Sequence, residues 1–128
     1  MIVLLDTSTP MCRLTLIRDE ERFQIEWEAD RTLAKGLLTF LHQQLALHES
    51  DWPDITAIGV MRGPGSFTGL RIGLTVMNTL ADSLHIAIVG THGINWAEQA
   101  IAQLQAGQND QIVMPFYGSE AHITTPRK

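Results

Sequence analysis

The reactive side chains of this sequence are not spaced as catalysis requires. The acidic residues come closest to a catalytic pattern, that of a two-metal nuclease. Asp6 is the only acidic residue at the end of a predicted central strand. A two-metal nuclease needs a cluster of carboxylates drawn from several elements. The predicted helix between Arg31 and His48 contains no Asp or Glu, and the next predicted strand ends in Met61 and Arg62. Asp6 alone cannot hold two cations, so the pattern argues against a nuclease and favours a local turn.

The histidines, the cysteine and the most conspicuous serine are also poorly placed for chemistry. His42 and His48 lie about 240° apart around a helix, so they cannot share a ligand, and no His-x-x-x-His pair occurs. Cys12 lies in a predicted strand without a neighbouring base, which favours a structural thiol. Ser66 lacks the Gly-x-Ser-x-Gly context of a nucleophile. The sequence therefore predicts no catalytic residue and no metal site.

A glycine-rich segment, residues 63–73 with the sequence GPGSFTGLRIG, raises the question of phosphate binding. A phosphate-binding loop needs two glycines with four residues between them and then a Lys-Ser or Lys-Thr pair, and this segment has neither. The dinucleotide-binding pattern fails because Thr68 occupies the position of its third glycine. We predict that Ser66 caps the helix that follows, and anion binding at that helix start is left open.

Composition and charge narrow the class of protein. The 128 residues suffice for one domain, and 45% hydrophobic with 18% charged residues is typical of folded proteins. Nine Lys and Arg against fourteen Asp and Glu give a net charge of −5, which disfavours a surface that grips nucleic acid. The single cysteine excludes an intrachain disulfide, and no apolar run reaches the length of a membrane span. These features predict a cytoplasmic protein without membrane contact.

Hydrophobic periodicity predicts an α/β fold. The expected strands cover residues 2–5, 12–17, 23–28, 55–61 and 86–89, the helices cover 31–48, 66–84 and 95–105, and a further strand covers 112–117. The order βββαβαβα predicts a mixed five-stranded sheet with helices on its faces, the topology of the ribonuclease H-like domain that forms half of an actin-like ATPase. We expect this domain to occupy residues 1–110, and residues 111–128 to form a short C-terminal strand and tail.

The first two predicted helices carry more apolar surface than a helix on a sheet needs. On a wheel of about 100° per residue, apolar residues cover about 200° of the second helix and about 180° of the first, whereas a stripe of somewhat over about 100° suffices. Gly69 and Gly73 lie on one face and would let another backbone approach closely. Either the two helices bury their surplus against each other, or their shared outer surface docks onto another protein. The wheels favour neither interpretation.

The glycine-rich segment closely resembles the signature of the TsaB (YeaZ) family, bacterial proteins required for threonylcarbamoyladenosine modification of tRNA. The residues that carry the resemblance are Gly63, Pro64, Gly65, Ser66, Phe67, Thr68, Gly69, Arg71 and Gly73. An apolar strand precedes them and a helix containing Leu80 and Ala81 follows. The opening residues IVLLDTST, with Cys12 starting the next strand, are also similar to the family's beginning.

The resemblance implies an actin-like fold and a non-catalytic scaffold without a cofactor of its own. In this family the partner TsaD binds ATP and metal and transfers the threonylcarbamoyl group to adenosine 37 of tRNA. TsaE is implied as a further partner, tRNA is reached only through the complex, and a homodimer is left open. Typical members carry a second lobe that is missing here, so we expect this chain not to close around ATP by itself.

The resemblance also implies that helices of this domain pack against TsaD, which favours the docking interpretation. The expected interface residues are Leu33, Leu37, Phe40, Leu41, Gly69, Gly73, Val76, Met77 and Leu80. Two alternatives are left open. One is an enzyme, either glycoprotease-like or an ATP-dependent transferase, and the other is an interaction module for a different partner.

Overall fold

A computed structural model of the chain describes residues 1–117. The strands are β1 Ile2–Asp6, β2 Met11–Arg18, β3 Glu21–Glu28, β4 Ala57–Met61 and β5 Ala87–Thr91. The α-helices are α1 Leu33–Leu47, α2 Phe67–Leu84 and α3 Trp96–Gln105, and short 3-10 turns precede α1 and β4. The predicted order βββαβαβα is confirmed. Among the described residues, no helix combines the length and apolarity that crossing a membrane requires.

The five strands form one mixed sheet in the order β3-β2-β1-β4-β5. β1 is antiparallel to β2, with Leu5 opposite Leu14, and parallel to β4, with Leu5 opposite Val60. The antiparallel pair β2-β3 and the parallel pair β4-β5 extend the sheet on either side. This central position explains the apolar run in β1, because Val3, Leu4 and Leu5 are all buried by layers on both faces.

Helices cover both faces of the sheet. Val3 and Leu5 belong to the hydrophobic cluster formed with α1 and α2, whereas Leu4 packs with Ala100 and Ile101 of α3 on the other face. Alternate residues of β1 therefore serve opposite layers, as the pleat of a strand requires. α1 presents one buried residue per turn to the sheet, at Leu33, Leu37, Leu41 and Leu45.

After α3 the chain meets the free edge of β5. The backbone N–H of Asp110 donates to Ile88 O at 2.8 Å, and the Asp110 carboxylate accepts from Gly90 N at 2.9 Å. The side chain of Asn109 accepts from Ile88 N at 3.1 Å. Two side chains and one backbone N–H thus take three backbone groups of β5 that a sixth strand would otherwise pair with.

The chain then crosses towards α2 without forming a strand. The Asn78 amide donates to Val113 O at 2.9 Å and accepts from Val113 N at 2.8 Å, and Phe116 N donates to Arg62 O. The predicted strand over residues 112–117 is therefore wrong, because these contacts replace the backbone ladder of a strand. The rest of the predicted tail, residues 118–128, lies outside the described residues.

Candidate interaction surface

The glycine-rich segment holds the start of α2 against the loop that joins β1 to β2. Ser66 N donates to Ser8 O at 2.8 Å, and Thr7 Oγ1 donates to Gly69 O at 2.8 Å. The Ser66 side chain accepts from Gly69 N at 3.2 Å, so the predicted helix cap is confirmed. Protein oxygens thereby take the N–H groups of Ser66 and Gly69, which leaves fewer donors for an anion at this helix start.

Three glycines of this segment face the β1–β2 loop with no room for a side chain. A Cβ atom at Gly65 would lie 2.7 Å from Ser8 O, and one at Gly73 would lie 3.0 Å from Thr7 Cγ2. A Cβ atom at Gly69 would overlap the Thr7 carbonyl oxygen. The prediction that Gly69 and Gly73 line a partner interface is wrong, because the backbone they approach closely is this chain's own loop.

The two reactive side chains near this loop have structural roles. Asp6 Oδ1 accepts from Ser8 N at 2.8 Å and from Ser8 Oγ at 2.6 Å, so the predicted local turn is confirmed. Cys12 is buried, and this burial, followed by the nearby Asp6 charge, raises its pKa to about 12. The thiol therefore stays protonated near neutral pH. Within residues 1–117 no group of three or more His, Cys, Asp and Glu residues could hold a metal ion.

Most of the predicted interface residues belong to the core of this chain. The buried ones are Leu33, Leu37, Leu41, Gly73 and Met77. Their assignment to an interface is wrong, because residues at the centre of an apolar stripe are the ones that pack on the sheet. Phe40 lies at one margin of the α1 stripe, where it stacks on Trp27 of β3 with ring centroids 4.9 Å apart.

Two other predicted residues, Val76 and Leu80, line an open groove between α1 and α2. The groove consists of two adjoining cavities of about 450 and about 270 Å³ that share Thr75 and Val76. The residues of this α1–α2 groove are Ala34, Leu38, Phe67, Thr68, Arg71, Ile72, Thr75, Val76, Thr79, Leu80 and Ser83. Leu38 remains 49% exposed and Phe67 54% exposed. Apolar surface of both helices is therefore open at this groove.

Leu38 and Ile72 line the groove although neither was predicted as an interface residue. Both belong to the wide apolar stripes, whose centres pack on the sheet. The width of the apolar stripe is the sequence feature that indicates these residues. The centre of a wide stripe packs on the sheet, so only its margins can contact a neighbouring helix or a partner. α1 and α2 contact each other, as one interpretation predicted, and the groove stays open along their outer margins.

Among the described residues, Arg71 is the one charged side chain that lines the α1–α2 groove. Its guanidinium carbon lies 5.1 Å from the centre of the Phe67 ring, within the range of a cation–π contact. Phe67 in turn stacks on Tyr117, with ring centroids 5.3 Å apart. The Phe67 ring thus contacts both the positive charge of Arg71 and the Tyr117 ring.

Comparison with known sequences places the chain near proteins of tRNA modification. The family model described as TsaD, tRNA N6-adenosine threonylcarbamoyltransferase, matches residues 27–116. The tRNA threonylcarbamoyladenosine biosynthesis protein TsaB of Haemophilus influenzae is 31% identical over 108 residues, which is 84% of this chain and 46% of that protein. TsaB of Escherichia coli is 30% identical over 92 residues, which is 70% of this chain and 38% of that protein.

Solved structures show the same similarity. YeaZ from Pseudomonas aeruginosa superposes with a TM-score of 0.69 at 28% identity, covering 83% of this chain and 49% of that one. A second structure, of an uncharacterized protein with similarity to peptidase YeaZ from the same organism, superposes with a TM-score of 0.70 at 28% identity. This chain spans about half the length of the relatives it matches.

Proposed function

The chain belongs to the TsaB (YeaZ) family, and we propose on this basis that it acts in the biosynthesis of tRNA threonylcarbamoyladenosine. Its proposed role is that of a non-catalytic scaffold that supports a TsaD-like protein in threonylcarbamoyl transfer to adenosine 37 of tRNA. The ATP and the metal of that reaction belong to the TsaD-like partner. We propose TsaE as a further partner and the cytoplasm as the location of the complex. In this complex the tRNA contacts the TsaD-like protein rather than this chain.

The observation that carries this proposal is the α1–α2 groove. Among residues 1–117, its walls are apolar or uncharged apart from Arg71, and Leu38 and Phe67 are about half exposed in it. Burial of such surface is the main favourable term in protein association. The groove lies along the outer margins of α1 and α2, so a helix of the partner laid along it would complete a helix–helix contact.

The groove does not depend on the half of the relatives that this chain does not match. All of its residues lie between Ala34 and Ser83, on α1 and α2. We therefore propose that residues 1–110 form the ribonuclease H-like unit that carries the docking surface. Residues 111–117 support this unit, because Val113 is buried and bonded to Asn78 of α2.

An enzyme is the second candidate, because one structural neighbour carries the word peptidase in its name. The reactive groups of the described residues do not favour it. The Cys12 thiol is buried with its pKa raised to about 12, and the Asp6 carboxylate accepts two bonds from Ser8. Ser66 caps α2 through Gly69 N and has no histidine partner within hydrogen-bond distance among the described residues.

Two leucines of α1 provide a matched test of the docking proposal. Leu38 lines the groove, whereas Leu47 lies at the end of α1, outside the groove, and is 73% exposed. Leu38→Glu should weaken capture of a TsaD-like protein from the same genome by about tenfold or more, because a charge would be buried at the contact. Leu47→Glu should leave capture unchanged. Both variants should keep the Tm of the parent chain, since both leucines are exposed.

The same pair of variants separates the alternatives. Retained capture by Leu38→Glu would place the TsaD-like protein on another surface. Failure of the parent chain to bind any TsaD-like protein would favour the interaction module with a different partner. Peptide or ATP hydrolysis by the purified parent chain, absent from an Asp6→Asn variant, would favour an enzyme.

A further inference from the structure

We propose that Arg71 selects the partner by its charge, so that the helix docked in the α1–α2 groove places an aspartate or glutamate opposite this guanidinium. The inference rests on the proposed function and adds the chemistry of the partner surface. It concerns a protein carboxylate rather than a free anion or a nucleic acid, because the described groove walls combine apolar side chains with a few hydroxyls and offer no second positive charge beside Arg71.

The first observation is the position of Arg71. It lines the larger cavity of the groove and also the neighbouring cavity of about 470 Å³, whose walls include Val113, Met114 and Tyr117. Arg71 therefore stands where the two depressions meet, and a helix lying along the groove passes it. Among the residues described for both cavities, no other side chain is charged.

The second observation is that Arg71 lacks a carboxylate of its own within residues 1–117. The ion pairs of this region of the chain join Arg13 to Glu26, Arg22 to Glu98 and His42 to Asp51. The contact that orients Arg71 is the Phe67 ring, 5.1 Å from the guanidinium carbon. A ring face satisfies part of the positive charge but accepts no strong hydrogen bond from the N–H groups, so no side chain among residues 1–117 takes these donors.

These two observations together specify a carboxylate. The planar guanidinium offers parallel N–H donors that match the two oxygens of a carboxylate. Covering the apolar groove with a partner helix would exclude water from this pair and strengthen the attraction. The chain as a whole carries a net charge of −5. An acidic partner surface would be repelled by most of this molecule, so the local positive charge would set the register of the docked helix.

The test measures binding of a TsaD-like protein from the same genome to the full chain and to a matched pair of variants. Arg71→Gln removes the charge in the groove. Arg22→Gln makes the same change on the α3 face of the sheet, where Arg22 pairs with the exposed Glu98. We expect Arg71→Gln to weaken binding about tenfold, which is about 1.4 kcal/mol, and Arg22→Gln to stay within about twofold of the parent.

Salt and charge reversal distinguish an ion pair from a steric effect. The affinity of the parent chain should fall between about 50 and about 300 mM salt, and that of Arg71→Gln should fall less. Arg71→Lys should retain part of the affinity. Arg71→Glu should bind more weakly than Arg71→Gln, and one acid-to-lysine change on the docking helix of the partner should restore its binding.

Each other outcome overturns the inference in a different way. Binding by the parent that Arg71→Gln leaves unchanged, or weakens equally at every salt concentration, overturns the carboxylate while the proposed function stands. An Arg71-dependent dimer of this chain in sedimentation, with unaltered binding of the TsaD-like protein, assigns Arg71 to a second copy instead. No binding by the parent chain overturns both proposals.

Discussion

Replacing Gly73 with alanine tests whether the glycine-rich segment serves the core of this chain. An added Cβ atom would lie 3.0 Å from Thr7 Cγ2 and 3.1 Å from Thr7 Cβ, and it would overlap Thr7 Oγ1. Thr7 has little freedom to move away, because it is buried and its hydroxyl donates to Gly69 O at 2.8 Å. We therefore expect Gly73→Ala to lower the free energy of unfolding.

The size of this change follows from opposing contributions. Overpacking a buried contact costs about 1–3 kcal/mol, and losing the hydrogen bond from Thr7 to Gly69 would cost about 1 kcal/mol more. Alanine, however, favours the interior of a helix over glycine by about 1 kcal/mol. The net expectation is a loss of about 1–3 kcal/mol, which lowers Tm by about 4–12 °C in a chain of this length.

Urea unfolding of the parent chain, Gly73→Ala, Thr7→Ala and the double variant measures the contact itself. Thr7→Ala removes Oγ1 and Cγ2 and so makes room for the new methyl group. The double variant should therefore lose at least about 1 kcal/mol less than the sum of the two single changes. Effects that add within about 0.5 kcal/mol would refute the contact. Unchanged stability of Gly73→Ala with lost capture of the TsaD-like protein would return the glycine face to the interface.

Two further predictions concern Cys12 and Asn78. Burial raises the pKa of Cys12 from 9.0 to about 12, so the folded state favours the protonated thiol. A thiol reagent should not label the native chain near about pH 8, and rapid labelling would contradict the burial. The stability due to this thiol should be full below pH 9.0 and lost as the pH rises towards about 12. In urea unfolding, Cys12→Ala should lack this part of the pH dependence. Asn78→Ala removes both hydrogen bonds to the Val113 backbone. It should cost about 1–3 kcal/mol and speed hydrogen exchange at the Val113 amide, with Asn78→Asp intermediate, and unchanged exchange would contradict it.

Short-range patterns in the sequence determined the elements and two local roles. Strand and helix order follows from apolar spacing, because the pleat and the helical turn each repeat within a few residues. The turn at Asp6 joins residues two apart, and the Ser66 cap joins residues three apart. Such contacts are predictable because the backbone geometry of one turn already brings the partners together.

Contacts between distant residues were decided by the tertiary structure. Thr7 donates to Gly69, 62 residues away, and Asn78 holds Val113, 35 residues away. The first contact explains why the α2 glycines serve the core, and the second explains why residues 112–117 form no strand. No spacing within one element encodes such pairs, because each depends on how two elements lie against each other.

The division between core and groove was also decided by packing. Helical wheels indicate that α1 and α2 have wide apolar stripes, and the structure agrees, because apolar residues of both helices lie in the core and in the groove. Which residues in a stripe face the sheet depends on how the helix is rotated on it, and this rotation buries Leu37 and Met77 but leaves Leu38 exposed. The physical reason is that the hydrophobic effect has no direction. A leucine gains similar free energy against a sheet, a neighbouring helix or a partner, so the folded geometry assigns each residue to one of them.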